Sequence, residues 1–166
     1  MKPDTVTLPI STADGEFVAH YSERGLAALD FPGGKTPART AKPETSASDK
    51  IHAWHRKTET ALNRLLTGEK QVKFPPLDLA GTAFQKLVWR EMLRISSGKT
   101  KSYGEIAEAV GKPGAVRAVG GACGANPIPV FVPCHRVLAA HKKIGGFSSG
   151  LHWKRKLLAR EGVVVQ

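Results

Sequence analysis

Residues 128–137 read Ile-Pro-Val-Phe-Val-Pro-Cys-His-Arg-Val, an apolar run that delivers Cys134 between a rigid proline and a histidine. Pro133 fixes its own φ and biases Val132 toward extended geometry. The run is therefore expected to reach Cys134 as a strand that stops abruptly at a turn. A thiol at a defined strand end is a presented nucleophile, in contrast to one lost in a core.

The chain has 166 residues, enough for one domain or two small ones with a real core. No stretch approaches the roughly 18 apolar residues of a membrane span, and the start Met1-Lys2-Pro3-Asp4-Thr5 lacks a secretory apolar region. A cytoplasmic protein with no membrane partner is the expectation. Its two cysteines, Cys123 and Cys134, suit a reduced, working thiol better than a disulfide framework. The net charge of +11 is unevenly spread: through Gly81 there are 11 Lys/Arg against 10 Asp/Glu, and from Thr82 onward 14 against 4. Positive charge concentrated in the half that carries Cys134 marks a polyanion-binding face, although a basic surface that only aids solubility would read the same way.

Three short β-like runs near 6–10, 16–21 and 25–31, separated by Asp14-Gly15 and Glu23-Arg24-Gly25, predict a small antiparallel meander. Residues 32–48 are rich in Pro, Gly, Thr, Ser and Lys, the composition of a mobile loop, and a helix is expected over 49–66, ending at Gly68. Phe74-Pro75-Pro76-Leu77 reads as an extended linker. Beyond it, Thr82 with Gln85 makes a capping box ahead of Phe84, Leu87, Val88, Met92 and Ile95 on one helical face. Ser102 with Glu105 makes a second, before a short helix closed by Gly111. A third helix from about 112 to 125 would complete a helix-turn-helix, and 151–160 supplies a last, basic helix.

The third of these helices carries Ala118, Gly121, Ala122 and Ala125 at i, i+3, i+4 and i+7, a face almost without bulk. Each glycine in a helix costs about 1 kcal/mol relative to alanine, so a return is needed. Close helix packing is one. Entry into a minor groove about 6 Å wide, with Arg117 as the one long projection, is the other. Tyr103, at the start of the preceding helix, faces the same surface in the second reading and is a half-buried core tyrosine in the first.

Pro133-Cys134-His135-Arg136-Val137, the preceding Asn126-Pro127 and Arg117-Ala118-Val119-Gly120-Gly121-Ala122 resemble the O6-alkylguanine-DNA alkyltransferases, also called methylated-DNA–protein-cysteine methyltransferases. The resemblance covers about residues 84–162 and is only positional before them. It implies an α/β (α+β) fold: a small ribonuclease-H-like α/β domain at 1–77, then a winged-helix-like helix-turn-helix domain at 82–166 that carries the active site. It implies direct reversal of DNA damage. An O6-alkylguanine, with O4-alkylthymine as a second substrate, is flipped from double-stranded DNA and its alkyl group moves irreversibly to Cys134, once per molecule. No cofactor is implied, and the protein would act as a monomer.

Residue by residue, the resemblance makes Cys134 the acceptor, His135 the base that takes its proton through a water, and Glu161 the carboxylate that orients His135. Asn126 becomes a hinge between recognition helix and active-site strand. Arg117 fills the space of the flipped base and Tyr103 helps rotate the nucleotide outward, with Ala118, Gly121 and Ala122 forming the DNA-contacting face. Val137 and Ser148 offer backbone groups to the guanine edge, and Phe147 stands where the pocket wall is usually tyrosine. Some family members hold zinc in the N-terminal half. This half has no cysteine, and His20, His52 and His55 lack a ligand pattern, so no metal is expected. Three rival readings are a non-catalytic lesion-sensing DNA-binding protein, a thiol hydrolase using Cys134 and His135, and a helix-turn-helix transcription factor. The first loses force because related sensors replace the motif cysteine.

Overall fold

The computed structural model describes residues 5–33 and 48–165. Within them β1 (Val6–Thr12), β2 (Gly15–Ser22) and β3 (Gly25–Asp30) form the expected antiparallel meander in the order β1-β2-β3. Register is fixed from Val6 against Tyr21 to Thr12 against Gly15, and the corners use Gly15 and Gly25 at positive φ. The sheet buries Ile10, Phe17, Ala19, Tyr21 and Leu26 on its inner side. Of the loop expected over 32–48, residues 34–47 lie outside the described residues.

Helix α1 (Asp49–Leu66) covers the expected span. Ser48 caps it by accepting from the Ile51 N–H, and Asp49 sits favourably at the positive end of its dipole. Gly68, at φ +81°, ends it, and a Cβ there would lie 2.3 Å from the Arg160 carbonyl. The segment expected as a linker does more than connect: the Leu26 N–H donates to Pro76 O and the Asp78 N–H to Leu26 O, both at 2.8 Å, so it continues the sheet beside β3.

Both capping boxes form, at the starts of α2 (Ala83–Leu93) and α3 (Tyr103–Ala109). On α2 the buried face is Val88, Trp89 and Met92, while Leu87, expected inward, is 40% exposed. Helix α4 (Val116–Gly124) starts later than the sequence suggested, with Ala115 as an N-cap that supplies no side-chain acceptor. It packs on both α2 and α3, and the Trp89 indole N–H donates to the Ala122 carbonyl at 2.9 Å. A two-residue parallel ladder, β4 (Lys101–Ser102) with β5 (Val137–Leu138), joins the start of α3 to the chain just after the cysteine motif; its brevity leaves no sequence signature. Helix α5 (Leu151–Arg160) spans the expected residues.

The fold is mixed α/β with one continuous apolar core from the sheet to α5. Phe17, Phe31 and Trp153 meet at centroid distances of 4.9–5.7 Å, and Phe31 in turn packs edge-on against Phe147 at 5.9 Å. The sheet thereby braces a loop of the second half. Among the described residues no helix is long and apolar enough to cross a membrane. Phe17→Ala would leave a cavity at this junction and is expected to cost about 3–5 kcal/mol in urea unfolding, with a single cooperative transition retained.

Candidate active site

The apolar run before Cys134 is not the strand expected from sequence. Its prolines and the left-handed Val130 (φ +75°) fold it into a buried turn, with a bridge between Pro129 and Val132. Asn126 holds that turn from inside. Its side-chain NH₂ donates to Val132 O at 2.7 Å and its oxygen accepts the Ile128 N–H at 3.0 Å. Pro133, at φ −81° and ψ 66°, then makes an inverse γ-turn closed by the Cys134 N–H to Val132 O at 2.8 Å. Cys134–Arg136 follow as one 3₁₀ turn, which aims consecutive side chains in different directions.

Cys134 turns toward a cavity of about 300 Å³ lined by Tyr103, Gly120, Cys123, Gly124, Cys134, Gly146, Phe147 and Ser148. Two helices, the motif turn and the 146–148 loop thus meet in one pocket. The Tyr103 hydroxyl accepts the Gly146 N–H at 3.4 Å, and a Cβ on Gly145 (φ +69°) would lie 2.8 Å from that hydroxyl. Glycine is required there on both counts. Phe147, anchored by Phe31, forms a flat wall.

Behind the pocket lies a buried charge cluster. His135 Nε2 donates to Glu161 Oε1 at 2.8 Å, with the two side chains 2% and 4% exposed. Arg136 clamps the same carboxylate through Nε and Nη2 at 2.8–3.1 Å and donates through Nη1 to Ile95 O at 2.6 Å. Burial alone would raise the Glu161 carboxyl, but hydrogen bonds and charge from His135 and Arg136 bring it down to about 2. Burial, opposed by Glu161, pushes His135 below the usual histidine range, so its ring is neutral. With Nε2 donating, Nδ1 is an acceptor, and it is a buried polar atom without a protein partner. Burial likewise raises the Cys134 thiol, opposed by the Asn126 amide, Lys154 and the backbone N–H groups of Cys134 and His135. The resting pair is a thiol beside a neutral imidazole.

On α4, Arg117, Ala118, Gly121, Gly124 and Ala125 are exposed, while Val119, Ala122 and Cys123 are buried. This corrects the helical face read from sequence: Ala122 is 2% exposed and belongs to the inner surface, so it is not part of a DNA-contacting face. The glycines bear on the close-packing reading of the helix. A Cβ added at Gly120, Gly121 or Gly124 would meet nothing within 4 Å, so no neighbour among the described residues requires their smallness. Ser148 is exposed at the pocket rim, and the Val137 carbonyl accepts from Lys154 Nζ at 2.7 Å. Sequence reasoning missed Arg136 and Lys154. Arg136 is visible in the motif as an invitation to pair with an acid, whereas Lys154 lies within a basic helix that gives no sign it points inward. No group of three or more His, Cys, Asp or Glu among the described residues is arranged to hold a metal.

The model of the 6-O-methylguanine DNA methyltransferase DNA-binding domain matches residues 83–163. A methylated-DNA–protein-cysteine methyltransferase of Haemophilus influenzae is 35% identical over 162 residues, covering 97% of this chain and 84% of that protein. The chain belongs to the methylated-DNA–protein-cysteine methyltransferase family. Another member, from Methanosarcina acetivorans, is 39% identical over 89% of this chain and 92% of its own length. The member from Mycobacterium tuberculosis is 51% identical over 100 residues, but the match spans only 61% of its length, and 52% for the Mycobacterium leprae member. The crystal structure of the M. tuberculosis OGT in complex with DNA superposes with a TM-score of 0.75 at 34% identity, covering 93% of this chain and 91% of that one. The family match runs through α2 to the end of α5, the segment that builds the pocket and the charge cluster.

Two outcomes are expected. Gly121→Ala, open to solvent in a helix, is predicted to stabilise the fold by about 0.5–1 kcal/mol in thermal or urea unfolding. Glu161 has its folded pKa below the unfolded value of about 4.3, so its contribution is present at neutral pH and is lost as pH falls toward about 2. Glu161→Gln should therefore be less stable than the parent at pH 7 and lose less stability on acidification, as read by unfolding at a series of pH values.

Proposed function

We propose that this protein repairs O6-alkylguanine in duplex DNA by moving the alkyl group to its own Cys134, once per molecule. One observation carries the reading: Cys134 lines a cavity and is followed directly by His135, which is buried, paired to Glu161 and left with an acceptor nitrogen. In the reaction the Cys134 proton passes to His135 Nδ1 through a water, the sulfur attacks the alkyl carbon, and the carbon–O6 bond breaks. The electron pair leaves with guanine, which takes up the proton, so the net exchange is thiol for thioether. Glu161 orients His135 and stabilises the imidazolium, as in other nucleophile-base-acid arrangements. The thioether has no neighbour able to cleave it, and O4-alkylthymine is a secondary substrate of the same pocket.

Recognition follows from α4. Its bulk-free outer surface, Ala118 and Gly121, lies in the minor groove, and Arg117 occupies the stack when the damaged base leaves. Tyr103 keeps its hydroxyl hydrogen free for the rotated nucleotide, since it already accepts from Gly146. Val137 and Ser148 present backbone groups to the guanine edge, and Phe147 stacks against the base without a hydroxyl of its own. Asn126 couples the end of α4 to the acceptor turn. We read residues 82–166 as the DNA-binding and acceptor domain and 1–77 as its brace, acting as a monomer without cofactor. Cytoplasmic residence fits two free cysteines. The non-catalytic sensing alternative leaves the Cys134–His135–Glu161 arrangement without a purpose.

Incubation with a duplex containing O6-methylguanine should add one methyl group per molecule, located on Cys134 by peptide mass, with repair equal to the protein supplied. Turnover beyond one equivalent, or methylation elsewhere, refutes the proposal. Arg117→Ala should slow duplex repair by at least about tenfold, taking the lost interaction as roughly 1.4 kcal/mol, while leaving reaction with a free alkylguanine base unchanged; equal losses in both assays would remove Arg117 from base replacement.

A further inference from the structure

Lys154 is a fully buried lysine with no carboxylate partner. Its side chain is 0% exposed, yet it forms no ion pair among the described residues. Its Nζ donates to Val137 O at 2.7 Å and to Gly146 O at 2.9 Å. One acceptor follows the Cys134–Arg136 turn directly and the other precedes Phe147, so the ammonium ties two walls of the pocket together. Isolated buried cations are costly, and carbonyl dipoles compensate only in part. The groups that face it are Cys134 and His135 from the motif turn, Cys123 from α4, and the Tyr103 ring from α3 at 6.0 Å. Glu161, behind His135, is already neutralised by Arg136. Only the two thiols can give Lys154 a counter-charge.

We propose that Lys154 is a positioning residue whose fixed positive charge serves as counter-ion to the Cys134 thiolate, complementing the proton transfer to His135. This deepens the alkyl-acceptor reading of Cys134 and rests on it. The turn directs the charge to one thiol of the two. Cys134 also has the Asn126 amide and the N–H groups of Cys134 and His135 to favour its anion, whereas Cys123 lies against Met92 Sδ at 3.6 Å and is pushed up to about 12 by burial. Burial brings Lys154 itself down to about 8, with charge on either thiol opposing that fall, so the thiol and the lysine titrate as linked groups. When the sulfur becomes negative, the ammonium is held. When Lys154 is neutral or absent, the thiolate loses the cationic side chain that favours it.

The test is the pH profile of Cys134 alkylation by iodoacetamide in the DNA-free protein, with the label located by peptide mass. Lys154→Gln removes a charge that favours the anion, so the apparent Cys134 pKa should rise by about one unit or more and the rate at neutral pH should fall about tenfold or more. An unchanged profile in a folded Lys154→Gln protein overturns the proposal, even if DNA repair is lost, and so does a lowered pKa, which is the direction that opening the pocket alone would give by relieving the burial that raises the thiol. A second readout avoids changing the lysine. Linkage requires that Cys134→Ser, which cannot form the anion, lower the Lys154 pKa seen by NMR of its ε-carbon; an identical Lys154 titration in parent and Cys134→Ser overturns the proposal as well. The alkyl-transfer reading fails separately, by absence of methylation on Cys134 in the damaged-duplex experiment.

Discussion

The Glu161 carboxylate is the constraint on which the rest of the second half depends. It closes α5, accepts from both His135 and Arg136, and is nearly inaccessible to solvent. A carboxylate in that position is tolerable only because a guanidinium clamps it from one side and an imidazole donates from the other. Arg136 is fixed in turn by the Ile95 carbonyl just beyond α2. The motif turn, the end of α2 and the end of α5 are thereby held to one another, and the imidazole is held in the tautomer that offers Nδ1 as acceptor. Chemistry and architecture share the same hydrogen bonds. The single-use character of the proposed reaction fits a site built to make one nucleophile and to hold nothing that would regenerate it.

Two opposite treatments of small residues surround the site. Gly25, Gly68 and Gly145 are small because backbone or hydroxyl atoms press on them from within, and any Cβ would collide. Gly120, Gly121 and Gly124 are small although nothing among the described residues presses on them. Glycines that weaken a helix without improving internal packing point to something outside the chain that needs the room. That distinction separates glycines the fold requires from glycines it does not, and the second kind falls on the helix whose inner side contributes Cys123 to the pocket; the proposed DNA contact gives them a use.

The helices were legible in the sequence because their signals are local. Ser48 with Asp49, the two capping boxes and Gly68 set ends that depend on a few neighbouring residues. The meander was legible through alternation and its glycine corners. The 128–133 segment was misread because apolar β-branched residues suggest a strand, while the actual geometry is imposed by Asn126 bonding across the turn. Ala122 was placed on the wrong side because four small residues do not reveal which way a helix is rotated; the Trp89 bond to its carbonyl and the burial of Val119 and Cys123 fix that. The Glu161–His135 pairing was expected only through family resemblance, since 26 residues separate the two and no local pattern links them. Lys154 was invisible for a related reason: composition describes it as surface charge on a basic helix, and only the assembled core turns it inward.

The measurement closest to the heart of this account is the ¹⁵N NMR titration of the His135 ring in the unmodified, DNA-free protein. A neutral ring at pH 7 with hydrogen on Nε2, an unprotonated Nδ1 and a pKa below the ordinary histidine value is the predicted result. A ring protonated at neutral pH, or one carrying its hydrogen on Nδ1, would contradict it, because Cys134 would then have no base to receive its proton.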